Sequence, residues 1–393
     1  MRIAILTSGI LPVPAVQGGA VENLIDSCLE YNAERHLHDI TVYSVFNSSL
    51  RNYKYPVTTC NKYIYFNINS WWGKIWKRIY LQKHGGQEYY HYSVEYFLER
   101  ALKHIKRHDY DIIIVENRPA FSLKLRGKTC AKLVLHQEND FLNNQVRQYQ
   151  DIYDSYSLII NTSSYITERV KSITPKDTKS HTVLNGIDTK KFYQTTQIAR
   201  QQIRLKDDDF VIVYSGRLTK EKGILELIQA IKQLEDIPNL KLLIIGASAY
   251  GKDKTPTPFV TKLIEESEPI KDNVIFTGFI NYQMIPSYLK VGDIAVVPSM
   301  WEEPFGLTIV EAMAAGLPLI TTRSGGIPEI CEGVATIVER NNIIDNLAAA
   351  ILDLYQHPKK REQMSNASLE RSKFFDKETY AQNFFAALKK IQI

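Results

Sequence analysis

The chain has 393 residues, more than one ordinary core holds at roughly 150 residues per domain, so two domains are expected. Apolar residues make up 44% and charged residues 23%, which excludes disordered, collagen-like and disulfide-stapled classes. No apolar stretch reaches the ~18 residues of a membrane span, the start Met1-Arg2-Ile3-Ala4-Ile5-Leu6-Thr7 is too short for a signal segment, and Cys28, Cys60, Cys130 and Cys331 form no C-x-x-C. A cytoplasmic protein in a reducing compartment is expected. Net charge is +5, and the excess sits early: residues 1–184 hold 23 Lys/Arg against 17 Asp/Glu. That asymmetry suits contact with an anionic surface.

In chain order, the first half predicts strands at 2–7, 40–45, 63–66, 112–115, 132–136, 158–160 and 182–183. The second half repeats the scheme more regularly, at 210–215, 240–245, 274–277, 294–298, 319–322 and 335–338. Helical patterns fill the gaps. Near-continuous apolar strands between amphipathic helices predict parallel sheets covered on both faces. The fold class is therefore α/β, with two doubly wound, Rossmann-like domains facing a central cleft where the carboxyl ends of both sheets meet a ligand. The junction falls near 186–200, giving an N-terminal domain at 1–187 and a C-terminal domain at 188–375. An amphipathic helix follows at 376–393, with Tyr380, Phe384, Phe385 and Leu388 on its apolar side. It either caps the second domain or crosses back to the first.

Two further segments invite a functional reading. Between the third and fourth strands, Trp71, Trp72, Lys74, Trp76, Lys77 and Arg78 lie in a segment which, if helical, aligns Trp72, Ile75, Trp76, Ile79 and Tyr80 in one stripe beside the cations. Either this stripe packs into the first domain or it lies on an anionic membrane surface. Asp109-Tyr110-Asp111 and Asp207-Asp208-Asp209 resemble metal-binding D-x-D strings, but both precede strands. They read as solvated loop charges on the side away from the cleft.

The strongest chemical signal is Met300-Trp301-Glu302-Glu303-Pro304-Phe305-Gly306-Leu307-Thr308-Ile309-Val310-Glu311, directly after a predicted strand. Proline suits a helix start at 304, and Gly306 permits close approach of a phosphate to the free N–H groups there. Glu303 and Glu311, taken as eight positions on one helix, stand roughly 12 Å apart along the axis. A retaining hydrolase needs carboxyls ~5 Å apart. The spacing suits a long ligand gripped at two points, as a nucleotide sugar would be. After the strand at 210–215, Gly216-Arg217-Leu218-Thr219-Lys220-Glu221-Lys222-Gly223 sets two cations on a glycine-flanked turn. They serve a diphosphate, or are solvated surface charges.

Together with Asn185-Gly186-Ile187-Asp188, Ser324-Gly325-Gly326-Ile327-Pro328-Glu329, Gly18-Gly19-Ala20-Val21-Glu22 and the strand-end His136, these motifs resemble the retaining GT-B glycosyltransferases of family 4. The resemblance is strongest over residues 183–338. It implies Arg217 and Lys222 on the donor diphosphate, Glu311 on ribose and Glu303 on the transferred sugar. It also implies phosphate contacts from backbone at Gly19, Gly216, Phe305, Gly306 and Leu307, a base pocket opened by Gly246, and His136 near the anomeric centre. After His136 the chain reads Gln137-Glu138-Asn139-Asp140 where the family often has an adjacent aspartate. Each site has a plainer reading: His136 as a satisfied strand-end histidine, Gly18-Gly19 as a helix-entry turn, Gly325-Gly326 as tight packing, Asn185-Gly186 as a linker turn.

The implied activity is retaining transfer of a hexose from a nucleotide diphosphate sugar, with uridine the commonest base in the family. If the segment at 71–83 lies on a membrane, it and the basic first half make a lipid-linked glycan the expected acceptor, in polysaccharide or envelope glycan biosynthesis, and the expected site of action is the cytoplasm or the inner face of the membrane. No metal, cofactor or nucleic-acid partner is expected. The competing enzyme reading is a nucleotide-sugar epimerase on the same scaffold, which would alter the donor without an acceptor. A dehydrogenase is disfavoured because no G-x-G-x-x-G follows the first strand.

Overall fold

A computed structural model of the protein describes residues 1–53, 59–84, 89–247 and 257–391; the side chains of Lys74, Arg78 and residues 81–84 lie outside the described residues. The chain forms two compact units, Met1–Leu184 with Tyr380–Ile393, and Asn185–Thr379.

The first unit holds β1 (Arg2–Leu6), β2 (Asp39–Val45), β3 (Asn61–Phe66), β4 (Ile112–Glu116), β5 (Lys132–Gln137), β6 (Leu158–Asn161) and β7 (Ser180–Thr182). Their spatial order is β3-β2-β1-β4-β5-β6-β7 and every pairing is parallel. Parallel neighbours need long crossovers, which the intervening helices supply. Successive residues of one strand feed opposite faces: Ile112 and Ile114 join the cluster containing Ile3 and Ile5, while Ile113 and Val115 join that containing Ala4 and Leu6. This double burial is why the strands lack polar alternation. The first of these faces is covered by the helices Ala20–Arg35 and Lys377–Leu388, through Leu24, Ile25, Cys28, Tyr380, Phe384, Phe385 and Leu388. Each fully buried aromatic or leucine side chain there contributes roughly 1.5–3 kcal/mol.

The second unit holds β8 (Phe210–Ser215), β9 (Leu240–Ile245), β10 (Val274–Gly278), β11 (Ile294–Val297), β12 (Leu319–Thr322) and β13 (Thr336–Val338), in the order β10-β9-β8-β11-β12-β13. All neighbours are again parallel. Its two ends run side by side: Ile187 N–H donates to Phe375 O at 2.9 Å and Lys377 N–H to Ile187 O at 2.8 Å. Asp188 caps the helix Thr189–Gln194 by accepting from Lys191 N–H, and Thr189 Oγ1 donates to Asp376 at 2.6 Å.

In each unit the winding reverses beside the first strand, between β1 and β4 and between β8 and β11. Loops leaving the carboxyl ends of such a strand pair diverge and open a crevice. The chemical motifs fall on those loops.

Three local expectations change. The seventh strand is Ser180–Thr182 rather than 182–183; it is a short edge strand with little apolar signal. Asp209 is not a solvated charge: it is buried and accepts from Lys206 N–H at 2.7 Å, closing the turn into β8. Asp111 similarly accepts from Arg2 N–H at 2.7 Å. The segment at 71–83 is helical (Trp71–His84), but its aromatic stripe is split. Trp76 stacks on buried Tyr80 and packs against Tyr96, with ring centroids at 4.3 and 5.1 Å, whereas Trp71, Trp72 and Ile79 are exposed. The partner Tyr96 belongs to the neighbouring helix Tyr92–Ile105, a tertiary contact that helical periodicity does not contain.

Candidate active site

In the second unit the turns after β8 and β11 are stitched together. Met300 N–H donates to Glu221 O at 2.9 Å, and a Cβ on Gly223, which has φ 69°, would lie 1.8 Å from Pro298 O. Only glycine permits that approach. It brings Lys222 Nζ to 2.5 Å from Glu303 Oε1, with Ser299 Oγ donating to the same oxygen. Lys222 also lies 5.3 Å from the ring centroid of Trp301, a cation–π contact on a residue given no role in the sequence reading. Glu303 is buried and Lys222 partly so.

The backbone around Glu303 is fixed by the 324–326 turn. Gly326 N–H donates to Glu303 O at 2.7 Å and Gly325 N–H to the Glu302 carboxylate at 2.6 Å, while Arg340 pairs with Glu302. A Cβ on Gly325 would stand 2.2 Å from Glu303 O. Here Gly325-Gly326 serves close packing, and that packing aims Glu303.

The following helix is Leu307–Ala314, with left-handed Gly306 as its N-cap. Pro304 therefore does not open the helix. Residues 303–305 stay outside it, Glu303 tied to the neighbouring turn and Phe305 buried edge-on against Phe375 at 5.9 Å. The axial separation taken from a continuous helix does not apply. What remains is a helix start whose first N–H groups have no intrahelical partner and carry the positive end of the dipole, close in sequence to Glu303. Glu311 lies inside this helix, buried, with its carboxyl pushed up to about 7 by burial; a hydrogen bond with Tyr282 acts the other way. Tyr282 was not singled out by the sequence reading.

Arg217 is exposed, 3.9 Å from Glu221, and its carbonyl accepts from Tyr214 Oη at 2.8 Å. Gly216 and Gly246 face each other where β8 and β9 end, since a Cβ on Gly246 would lie 1.9 Å from Gly216 O.

The first unit gathers a different set. Gly19 precedes the helix Ala20–Arg35, and the Glu22 carboxyl folds back over it, 2.2 Å from where a Gly19 Cβ would be. Burial first, and then the neighbouring Glu116, push Glu22 up to about 7. His136 ends β5 between two carboxylates: Nδ1 lies 2.7 Å from Glu116 and Nε2 2.9 Å from Glu138, all three side chains buried. Burial alone would lower the imidazole, but the two carboxylates outweigh it and raise it to about 10. Tyr380 Oη lies 3.5 Å from Nε2 and the Phe384 ring meets His136 edge-on at 5.0 Å. Both ring nitrogens of His136 thus have carboxylate partners, which favour its charged form. Nothing in the local sequence pattern assigns a role to Glu116 or Glu138. Twenty residues and one strand crossing separate Glu116 from His136, so no local pattern announced the pair.

Of the membrane candidates, Trp71 and Trp72 are exposed, Trp76 is packed and Lys77 lies 4.6 Å from the Tyr92 ring centroid. The side chains of Lys74 and Arg78 lie outside the described residues. Among the described residues, no helix is long and apolar enough to cross a membrane.

Comparison with known proteins gives likenesses over both units. Residues 195–371 match the family model for glycosyl transferases group 1. Over 99% of this chain and 100% of its own length, spore coat protein SA of Bacillus subtilis (strain 168) is 28% identical. The putative glycosyltransferase YtcC of the same organism is 29% identical over 89% of this chain and 82% of its own. Among solved structures, Anabaena HepE in complex with UDP and glucose superposes with a TM-score of 0.73 at 19% identity, covering 100% of both chains. Sucrose-phosphate synthase from Thermosynechococcus elongatus does so with a TM-score of 0.76 at 19% identity, over 99% of this chain and 98% of its own. The likenesses to solved structures show the GT-B fold, and residues 195–371, most of the second unit, are similar to the group 1 glycosyl transferases.

Proposed function

We propose that the protein is a retaining, metal-independent glycosyltransferase that moves a hexose from a uridine diphosphate sugar to a lipid-linked glycan in polysaccharide or envelope glycan synthesis. The observation that carries this reading is the contact of Lys222 with Glu303 across the loops that leave β8 and β11, the switch point of one sheet, with the second of these loops running on into the helix Leu307–Ala314. A nucleotide sugar needs a cation and N–H donors for its diphosphate and carboxylates for its hydroxyls. The two hydrogen bonds to Glu303 both fall on Oε1, leaving Oε2 to accept from a sugar hydroxyl. Glu311 is the group for the ribose hydroxyls. The uridine assignment draws on Anabaena HepE, whose structure contains UDP and glucose.

In the transfer, the bond from the anomeric carbon to the diphosphate oxygen breaks and one to the acceptor hydroxyl oxygen forms on the same face. The acceptor's proton passes to the leaving phosphate oxygen, and no side chain becomes covalently attached. Negative charge builds on the diphosphate, so Lys222, Arg217 and the helix start stabilise the transition state more than the ground state. His136, enclosed by carboxylates, contributes as fixed charge and not as a proton acceptor. The exposed Trp71 and Trp72 support docking of the first unit on an anionic membrane.

The test is release of UDP from UDP-glucose, in EDTA, by wild type and Lys222→Ala. Loss of one such donor lowers the rate by roughly 10²–10³. A variant with near-normal turnover would remove Lys222 from the mechanism.

A further inference from the structure

The first unit has its own switch point, between β1 and β4, and one cation stands there. Arg118 follows β4, and its Nε donates to the carbonyl of Ser8, just beyond β1, at 3.2 Å. Its guanidinium lies 4.9 Å from the ring centroid of Tyr90, whose hydroxyl accepts from Ala120 N–H at 3.1 Å. The loops after β1 and β4 and the lead into the helix Tyr92–Ile105 therefore all position this side chain. Arg169, Arg323 and Arg340 are matched by carboxylates, Asp140 at 2.7 Å, Glu339 at 3.0 Å and Glu302, and Arg361 and Arg371, which lack one, each donate to two main-chain carbonyls, whereas Arg118 donates to one. Among the described residues, no carboxylate forms an ion pair with Arg118; Glu22 acts on it only through space.

A partly buried guanidinium without a counter-ion has lost hydration without regaining it from the protein. Burial is the main influence on Arg118 and works against its charge, and Glu22, at about 7, is only partly ionised at neutral pH. With Nε committed to Ser8, the terminal nitrogens remain as a fork that matches two oxygens of one anion. We infer that Arg118 binds an anionic group of the acceptor, a phosphate or carboxylate carried by the acceptor sugar or its lipid linker, at the carboxyl ends of β1 and β4. This rests on the glycosyl-transfer reading and adds a substrate class to it: the acceptor is charged.

The test uses the full chain and four probes, glucose 6-phosphate, glucuronate, glucose and UDP, titrated separately by calorimetry into wild type, Arg118→Gln and Arg118→Lys. Glutamine keeps a donor for the Ser8 carbonyl, and circular dichroism confirms that each variant is folded. Wild type is expected to bind at least one anionic sugar and not glucose, the phosphate and carboxylate arms separating the two sources. Arg118→Gln should bind that sugar about 10- to 100-fold more weakly, Arg118→Lys should recover part of the loss, and UDP affinity should be unchanged in both. Equal binding of the anionic sugar by wild type and Arg118→Gln overturns the inference, as does wild type that binds UDP but neither anionic sugar. Loss of UDP binding in Arg118→Gln assigns the residue to the donor and also overturns it. Failure of wild type to bind UDP at all would instead strike the donor-site reading.

Discussion

Replacing His136 with glutamine tests whether the buried Glu116–His136–Glu138 set is an ion cluster. In the folded protein the imidazole is raised from 6.5 to about 10 by the two carboxylates against the opposing effect of burial. A rise of that size is worth about 3–5 kcal/mol to the folded state, comparable to the ~3–5 kcal/mol lost when one partner of a buried ion pair is removed. Because the folded value is the higher one, this stability is fully present below pH 6.5, declines above it and is gone once pH passes about 10. Urea unfolding followed by tyrosine and tryptophan fluorescence at pH 6, 8 and 10 measures the gap between wild type and His136→Gln. The gap should be several kcal/mol at pH 6 and shrink steadily toward pH 10. A gap of equal size at all three values would show that His136 acts by shape and neutral hydrogen bonds, and would refute the charged cluster.

Two further outcomes follow from the same structure. Glu311 is buried and raised from 4.5 to about 7, so its ionisation opposes folding: wild-type stability attributable to this group is full below pH 4.5 and lost as pH rises through about 7. Glu311→Gln should accordingly be about 2–3 kcal/mol more stable than wild type at pH 8 and nearly equal at pH 4.5, while losing UDP binding; thermal melts at the two pH values read the first part. Trp71→Ser/Trp72→Ser removes exposed aromatics and should lower recovery in flotation with vesicles of anionic phospholipid, with the melting profile unchanged. Equal recovery of the pair, or of wild type with and without vesicles, would end the membrane assignment.

The strands of the second unit were legible because a strand buried on both faces is nearly all apolar: Phe210–Ser215 is apolar up to its last residue, and Leu240–Ile245 is broken only by the partly exposed Lys241. The edge strand Ser180–Thr182 lacks that signal. Lys222 and Glu303 were legible as candidates, but their 2.5 Å contact depends on Gly223 and Gly325 admitting neighbouring carbonyls, which requires the fold. The start of the helix Leu307–Ala314 was misplaced because proline favours a first helical turn, whereas here the turn at 324–326 holds Glu303 outside the helix. Glu116, Trp301, Tyr282 and Arg118 went unassigned for one reason. Each acquires its chemistry from a partner on another strand or loop, and a single sequence read by local period does not bring those partners together.

On the proposed reading, the second unit binds a nucleotide diphosphate sugar through Lys222, Glu303 and Glu311. This binding is tested most directly by thermal stabilisation of wild type and Glu311→Ala with uridine, guanosine, adenosine and thymidine diphosphate sugars in EDTA. A ligand at 100 times its Kd adds about 2.7 kcal/mol. Wild type should be stabilised by the uridine members and the variant should not; no stabilisation by any member, or equal stabilisation of both proteins, would overturn the donor site.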